Sequence, residues 1–478
     1  MSSELFKYLV SGGYVVLVYL LSWIGMRRTQ NIAGFSIGNK DMSPYLVGIT
    51  LAASIASTAT FVINPGFIYV HGLSAYLHYG LAGSAGTVSA FLILSRGFLR
   101  VGESFQALTL PDWIYHRYQH RGFSQYFAFI NLLSIAFVVL ILVGCSLIVT
   151  SLFPIGQKTA LVLILVFVFS YVLMGGTYAH AYTNTLQGII MLVVALLLFV
   201  LGLKYFDTGF LNELRSVGEN YAAVYNPDSE LYYSFFSVFA SGFIITFALM
   251  LQPHILTKVL YLRSAADLNK FISTTVVVGF LFTLILMVGF FARLSGLEAS
   301  AQDAVVVEYL NHEFSGSPLG EIFLTFIMLT LLAAGMSTLD GILVSLSAMV
   351  VNDIVAPLSS STRDGLLWSR WVLVGVGIIG MLLAWNSPPL VGLFAQKGVY
   401  GLAAASLVPM LFGVLVKGFL PLWLVFGASL IGLGGHFVIH LLLGVENPAV
   451  SASYAILLSL AYATAGLLLL RLRPGLAK

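Results

Sequence analysis

Long apolar runs dominate this chain and leave it one kind of fold. Stretches of roughly 18 or more apolar residues, enough to cross about 30 Å of hydrocarbon as helix, recur about thirteen times. They lie near residues 8–26, 44–71, 75–99, 126–152, 158–175, 182–204, 233–253, 270–296, 321–353, 366–386, 390–415, 419–441 and 452–471. Of the 478 residues, 59% are hydrophobic and only 9% charged. In lipid, a backbone must satisfy its polar groups within its own segment, and uninterrupted apolar runs do that as helices. The expectation is an all-α polytopic membrane protein. The first run has Glu4 before it, Arg27 and Arg28 after it and no small-residue cleavage site, so it reads as a retained helix.

Charge placement orients the bundle. With the N-terminus outside and the C-terminus cytoplasmic, sixteen of the 22 basic residues fall on inner connections, among them Arg27, Arg28, Arg363, Arg471, Arg473 and Lys478. Five fall outside, and Lys397 sits within a span. That asymmetry follows the positive-inside rule and places the chain in a cell (inner) membrane. The net charge of +3, with its basic residues dispersed, speaks against nucleic acid as a partner. A single cysteine, Cys145, rules out an intrachain disulfide.

Polar residues inside apolar spans are costly and mark function. In residues 331–350 (LLAAGMSTLDGILVSLSAMV), Ala334, Ser337, Thr338, Gly341 and Ser345 follow helical spacing and form one stripe, with Asp340 about 60° away. Small and hydroxylated residues alone suit close helix packing. An ionisable group among them points instead to ion handling. The second run contains AASIASTAT followed by Asn64-Pro65-Gly66, and the donor missing at Pro65 predicts an interruption near residues 53–60 that frees carbonyls for coordination.

Three further places carry polar residues. Asn184 and Gln187 share a helix face after the Gly-Gly turn of GGTYAHAYTNTLQG. His254 and Lys258 follow Pro253 at a predicted inner helix end, where they read as an interfacial pair. Gln396 and Lys397 lie about two turns into an apolar run, where a buried lysine wants an anionic partner, the solute's carboxylate or that of Asp340, and a snorkelling one reaches the outer interface instead. No phosphate-binding loop, metal-spaced Cys or His set, or nucleophile elbow is present, so nothing points to an enzyme.

Taken in order, ASIASTATFVINPGFIYVHG, TLPDWIYHRY, GGTYAHAYTNTLQG, QPHILTK and AAGMSTLD resemble the motifs of the sodium/solute symporter family. That family includes sugar, proline, pantothenate, sialic acid and monocarboxylate carriers. The resemblance implies the leucine-transporter fold: five-plus-five inverted repeats with one leading and two trailing helices. It divides the chain into a leading helix and loop (1–43), a first repeat (44–206), an outer loop (207–231), a second repeat (232–416) and two trailing helices (417–478). It implies alternating access and a Na⁺ site made by the carbonyls of Ala53, Ala56 and Ala334 with the hydroxyls of Ser337 and Thr338. Asn184 stands where many members carry Asp, which favours one sodium. Thr60 and Tyr79 align where sugar carriers have an amide and an acid, which disfavours a sugar. The expected solute is a small polar or anionic molecule such as an amino acid, monocarboxylate or vitamin-like acid, held by Thr60, His78, Tyr79, Thr246, Gln396 and Lys397. Asn184, Gln187 and Asp340 stand behind the site as coupling residues. A proton-coupled or uncoupled carrier of the same fold, with Asp340 carrying the proton, and a membrane sensor that binds without translocating are the competing readings.

Overall fold

In the computed structural model, residues 3–105, 107–356 and 365–472 are described, and every named element among them is helical. Arg363, Arg473 and Lys478 of the inner basic set lie outside the described residues. By length and hydropathy, 10 helices among the described residues qualify as spans, or up to 12 when each of two bent pairs is taken as one.

The expected thirteen differ from that count at α4 (Gln157–Gly202), which follows α1 (Ser3–Met26), α2 (Pro44–Ile55) and α3 (Asn64–His71). A straight helix of 46 residues would run about 69 Å, more than twice the hydrocarbon thickness. It is not straight, because Gly176 holds φ 50° and ψ −129°. Ser170 meets Tyr19, Ala179 meets Gly25, and Gln187 meets Tyr14, so the chain climbs α1 and descends it again. Only glycine suits this reversal: the φ is left-handed, and a Cβ would come 2.4 Å from the Phe35 ring.

Two spans are bent. The first joins α2 to α3 through residues Ala59–Ile63 at 50°. Proline at its first turn and an extended Ser43 start α2, and Ala56 ends it with a non-helical φ −78°, ψ 66°. The break therefore falls inside the interval predicted from Pro65. The second joins residues Phe236–Leu249, including α5 (Ser241–Leu249), to Pro253–Tyr261, including α6 (Pro253–Leu256), at 67°. Pro253 forces Gln252 into an extended conformation, which ends α5. The sequence reading took Pro253 and His254 as the end of a span. Instead the chain continues buried through Lys258 to Tyr261, so His254 and Lys258 are core residues and not an interfacial pair.

α7 (Pro318–Met349) runs through the middle of the bundle. Its 32 residues span about 48 Å. The Ser317 side chain caps it by accepting from the Gly320 amide at 3.0 Å, and Pro318 occupies its first turn. It packs on α1, α2, α4 and the helix Ile135–Leu152, burying Leu331, Leu339, Ile342 and Leu343. α8 (Val391–Leu415) closes the far side against the same Ile135–Leu152 helix.

Candidate ion and solute site

The break in α2 lies against the polar stripe of α7. A helix end leaves its last carbonyls without intrahelical donors, and here hydroxyls of α7 reach two of them. Ser337 Oγ lies 3.0 Å from the Ala53 carbonyl oxygen and 2.8 Å from that of Ala334. One hydroxyl hydrogen cannot serve both acceptors. Thr338 Oγ1 donates to the Ser54 carbonyl at 2.9 Å. Three of the five expected oxygen donors, on Ala53, Ala334 and Ser337, thus meet, with Thr338 beside them and Ala56 at the helix end above. A cluster with more acceptors than hydrogens, made largely of carbonyls, suits a small hard cation.

Asn184 braces this cluster. Its Nδ2 donates to Ser54 Oγ at 3.0 Å and to the Ser337 carbonyl at 2.8 Å, while its buried Oδ1 has no partner among the described residues. Gln187 is turned elsewhere and donates to the Tyr14 hydroxyl at 2.7 Å. Asp340 is fully buried and faces α4, where His180 Nδ1 lies 2.7 Å from Oδ1 and the Tyr171 hydroxyl donates to Oδ2 at 3.3 Å. The glycine at 341 admits that imidazole, since a Cβ there would sit 2.8 Å from His180 Cε1.

Sequence reasoning missed His180, Ser54 and Tyr232, and set Lys258 at an interface. Lys258 is fully buried, and its ammonium donates to Ser54 Oγ. The available signal was the lysine's position five residues after Pro253, followed by the apolar run of residues 259–262. Lys397 goes the other way. Its side chain is exposed, and its own carbonyl accepts from His436 Nε2 if that nitrogen is protonated, at 2.9 Å. It neither reaches Asp340 nor lines the cavity, so it does not hold the role expected of it.

A cavity of about 480 Å³ adjoins the cluster, with Ala56 and Thr338 in its wall. Thr60, His78, Tyr79, Thr246 and Gln396 line it as expected. Among the described residues its lining includes no Asp, Glu, Lys or Arg. Aromatic rings cluster at Tyr79 in this wall. The Tyr79 hydroxyl accepts from Tyr232 at 2.9 Å and from Gln396 Nε2 at 3.2 Å. Phe67, His78 and Tyr232 pack around Tyr79 with ring centroids 5.7, 4.9 and 6.1 Å away. His78 is anchored by its Nδ1, 3.0 Å from the Ser237 carbonyl.

A helical membrane bundle in which two bent spans and a polar-striped helix enclose a cavity beside an oxygen cluster is the architecture of a secondary carrier. The chain belongs to the sodium:solute symporter family, whose model matches residues 35–419. It is similar to the sodium/pantothenate symporter of Escherichia coli, 23% identical over 418 residues covering 84% of each chain. The high-affinity proline transporter of Bacillus subtilis is 23% identical over 389 residues, covering 77% of this chain and 78% of that one. In fold the chain resembles a Na⁺-coupled sialic acid symporter in a substrate-bound outward-open state, with a TM-score of 0.73 at 17% identity over 95% of this chain and 96% of the other. It also resembles Mhp1, a nucleobase-cation-symport-1 family transporter in a closed conformation, with a TM-score of 0.58 at 13% identity over 91% and 94%. The protein is thus a multi-pass sodium-coupled solute symporter of leucine-transporter-type fold and not an enzyme.

Proposed function

We propose that the chain imports a small polar or anionic organic solute, of the amino acid, monocarboxylate or vitamin-like acid type, with one sodium ion per cycle by alternating access. Sodium is held by the carbonyls of Ala53, Ala56 and Ala334 and the hydroxyls of Ser337 and Thr338. The observation that carries this reading is the single Ser337 hydroxyl set between two carbonyls of different helices, next to Thr338 in the cavity wall. A bound ion there ties α2 to α7, which favours the solute-competent state. Thr60, His78, Tyr79, Thr246 and Gln396 contact the solute. Its carboxylate, when it has one, draws on sodium for its counter-charge, because no Lys or Arg among the described residues lines the wall.

The bent spans support repeat boundaries at 44–206 and 232–416, since each repeat then opens on a broken helix. The N-terminus is placed outside and the C-terminus in the cytoplasm, as the basic residues suggest. Uptake by proteoliposomes loaded from a panel of amino acids, monocarboxylates and vitamins, with sodium exchanged for choline at fixed pH, tests the proposal. A solute that accumulates in sodium and not in choline is the expected result. Equal accumulation in both would overturn it.

A further inference from the structure

Lys258 is the buried charge that the transport reading leaves unused. Its ammonium, 0% exposed, donates to Ser54 Oγ, the same oxygen that accepts from Asn184 Nδ2 at 3.0 Å. Ser54 follows Ala53 in the chain, and its own carbonyl accepts from Thr338 Oγ1. The ammonium therefore stands one hydroxyl behind the oxygen cluster. On the other side of the cluster stands the carboxylate of Asp340, three residues after Ser337 on α7, whose two oxygens are occupied by His180 and Tyr171.

A lysine and an aspartate cancel as a pair, and a sodium ion in the cluster adds one charge. Within a low-dielectric bundle, charges a few ångströms apart act on each other strongly. The ammonium opposes the ion and the carboxylate favours it, and neither touches the ion. We infer that Lys258 tunes sodium affinity downward from behind Ser54, against Asp340, so that the ion is held loosely enough to leave at each turn of the cycle. Lys258 is here a positioning charge and not a ligand. The inference rests on the sodium site proposed above.

The two charges make opposite predictions, which a merely structural role does not. The experiment is a sodium titration of the purified full-length protein, read as thermal stabilisation at fixed pH with choline keeping ionic strength constant. Lys258→Met lowers the sodium concentration for half-stabilisation about tenfold, and Asp340→Asn raises it about tenfold. The double variant returns to within about twofold of the parent. Lys258→Arg, which keeps the charge, also stays near the parent. Shifts of the same sign in both single variants, or an unchanged midpoint in Lys258→Met, overturn the inference. Should Lys258→Met fail to fold, Asp340→Asn decides alone, because an unchanged or lowered midpoint there contradicts the charge balance. A parent protein that sodium does not stabilise at all instead defeats the site proposal itself, and a stabilised parent with wrong-signed variants defeats only this inference.

Discussion

Ser337 shows how much one side chain can carry. Its hydroxyl is one of the points where α2 and α7 are joined, so Ser337→Ala is expected to weaken sodium about tenfold, the cost of one lost polar partner at a buried site. The sodium dependence of uptake at saturating solute checks this, and an unchanged half-saturation would remove Ser337 from the site. Lys397→Ala is expected to leave both sodium and solute affinity unchanged, because that side chain is exposed and away from the cavity. Competition uptake measures it. Ser337 and Thr338 were legible in the sequence because helical periodicity puts them on one stripe with Ala334 and Gly341. The partners of Asp340 and Ser54 were not, since His180 and Lys258 lie on segments distant in sequence and only tertiary packing brings them in. Lys397 misled for a related reason: a lysine in an apolar run reads alike whether its helix turns it inward or outward.

Breaks in helices set the architecture at the next scale. The interruption of α2 could be read from Pro65 and the run of small residues around Ser54. The bend at Pro253 was taken for a terminus, because a proline that stops one helix and starts another leaves the same local mark as one that ends a span. At the reversal in α4, Gly176→Ala is expected to destabilise the protein by at least about 1–2 kcal/mol, the cost of an L-residue in left-handed backbone, with the Phe35 clash added. A lower unfolding temperature by intrinsic fluorescence is the readout, and an unchanged one would contradict the reversal. Tyr79→Phe removes the acceptor shared by Tyr232 and Gln396. Two neutral hydrogen bonds at about 0.5–1.5 kcal/mol each predict roughly tenfold easier opening of this aromatic cluster. Cys145 is the only cysteine in the sequence and is buried. The labelling rate of a cysteine introduced by Thr246→Cys in the Tyr79→Phe background therefore reports the opening, and equal rates with and without Tyr79→Phe would argue against an aromatic seal.

For the molecule as a whole, coupling has a thermodynamic ceiling. One charge crossing 100 mV yields about 2.3 kcal/mol, and a tenfold sodium gradient adds about 1.4 kcal/mol. One sodium with a neutral or zwitterionic solute therefore sustains an accumulation of a few hundred-fold at equilibrium. A monoanion, moving no net charge with its sodium, is limited to about tenfold under the same gradient. Steady-state accumulation measured with and without an imposed potential distinguishes these, and accumulation well above either limit would require a second ion. The absence of Asp, Glu, Lys and Arg from the described cavity wall has one last consequence. An anion entering without its metal companion meets on that wall hydroxyls, amides and the imidazoles of His78 and His254 and no Lys or Arg among the described residues, so its lost hydration is poorly repaid and slippage is disfavoured by solvation energetics before any gate has to close.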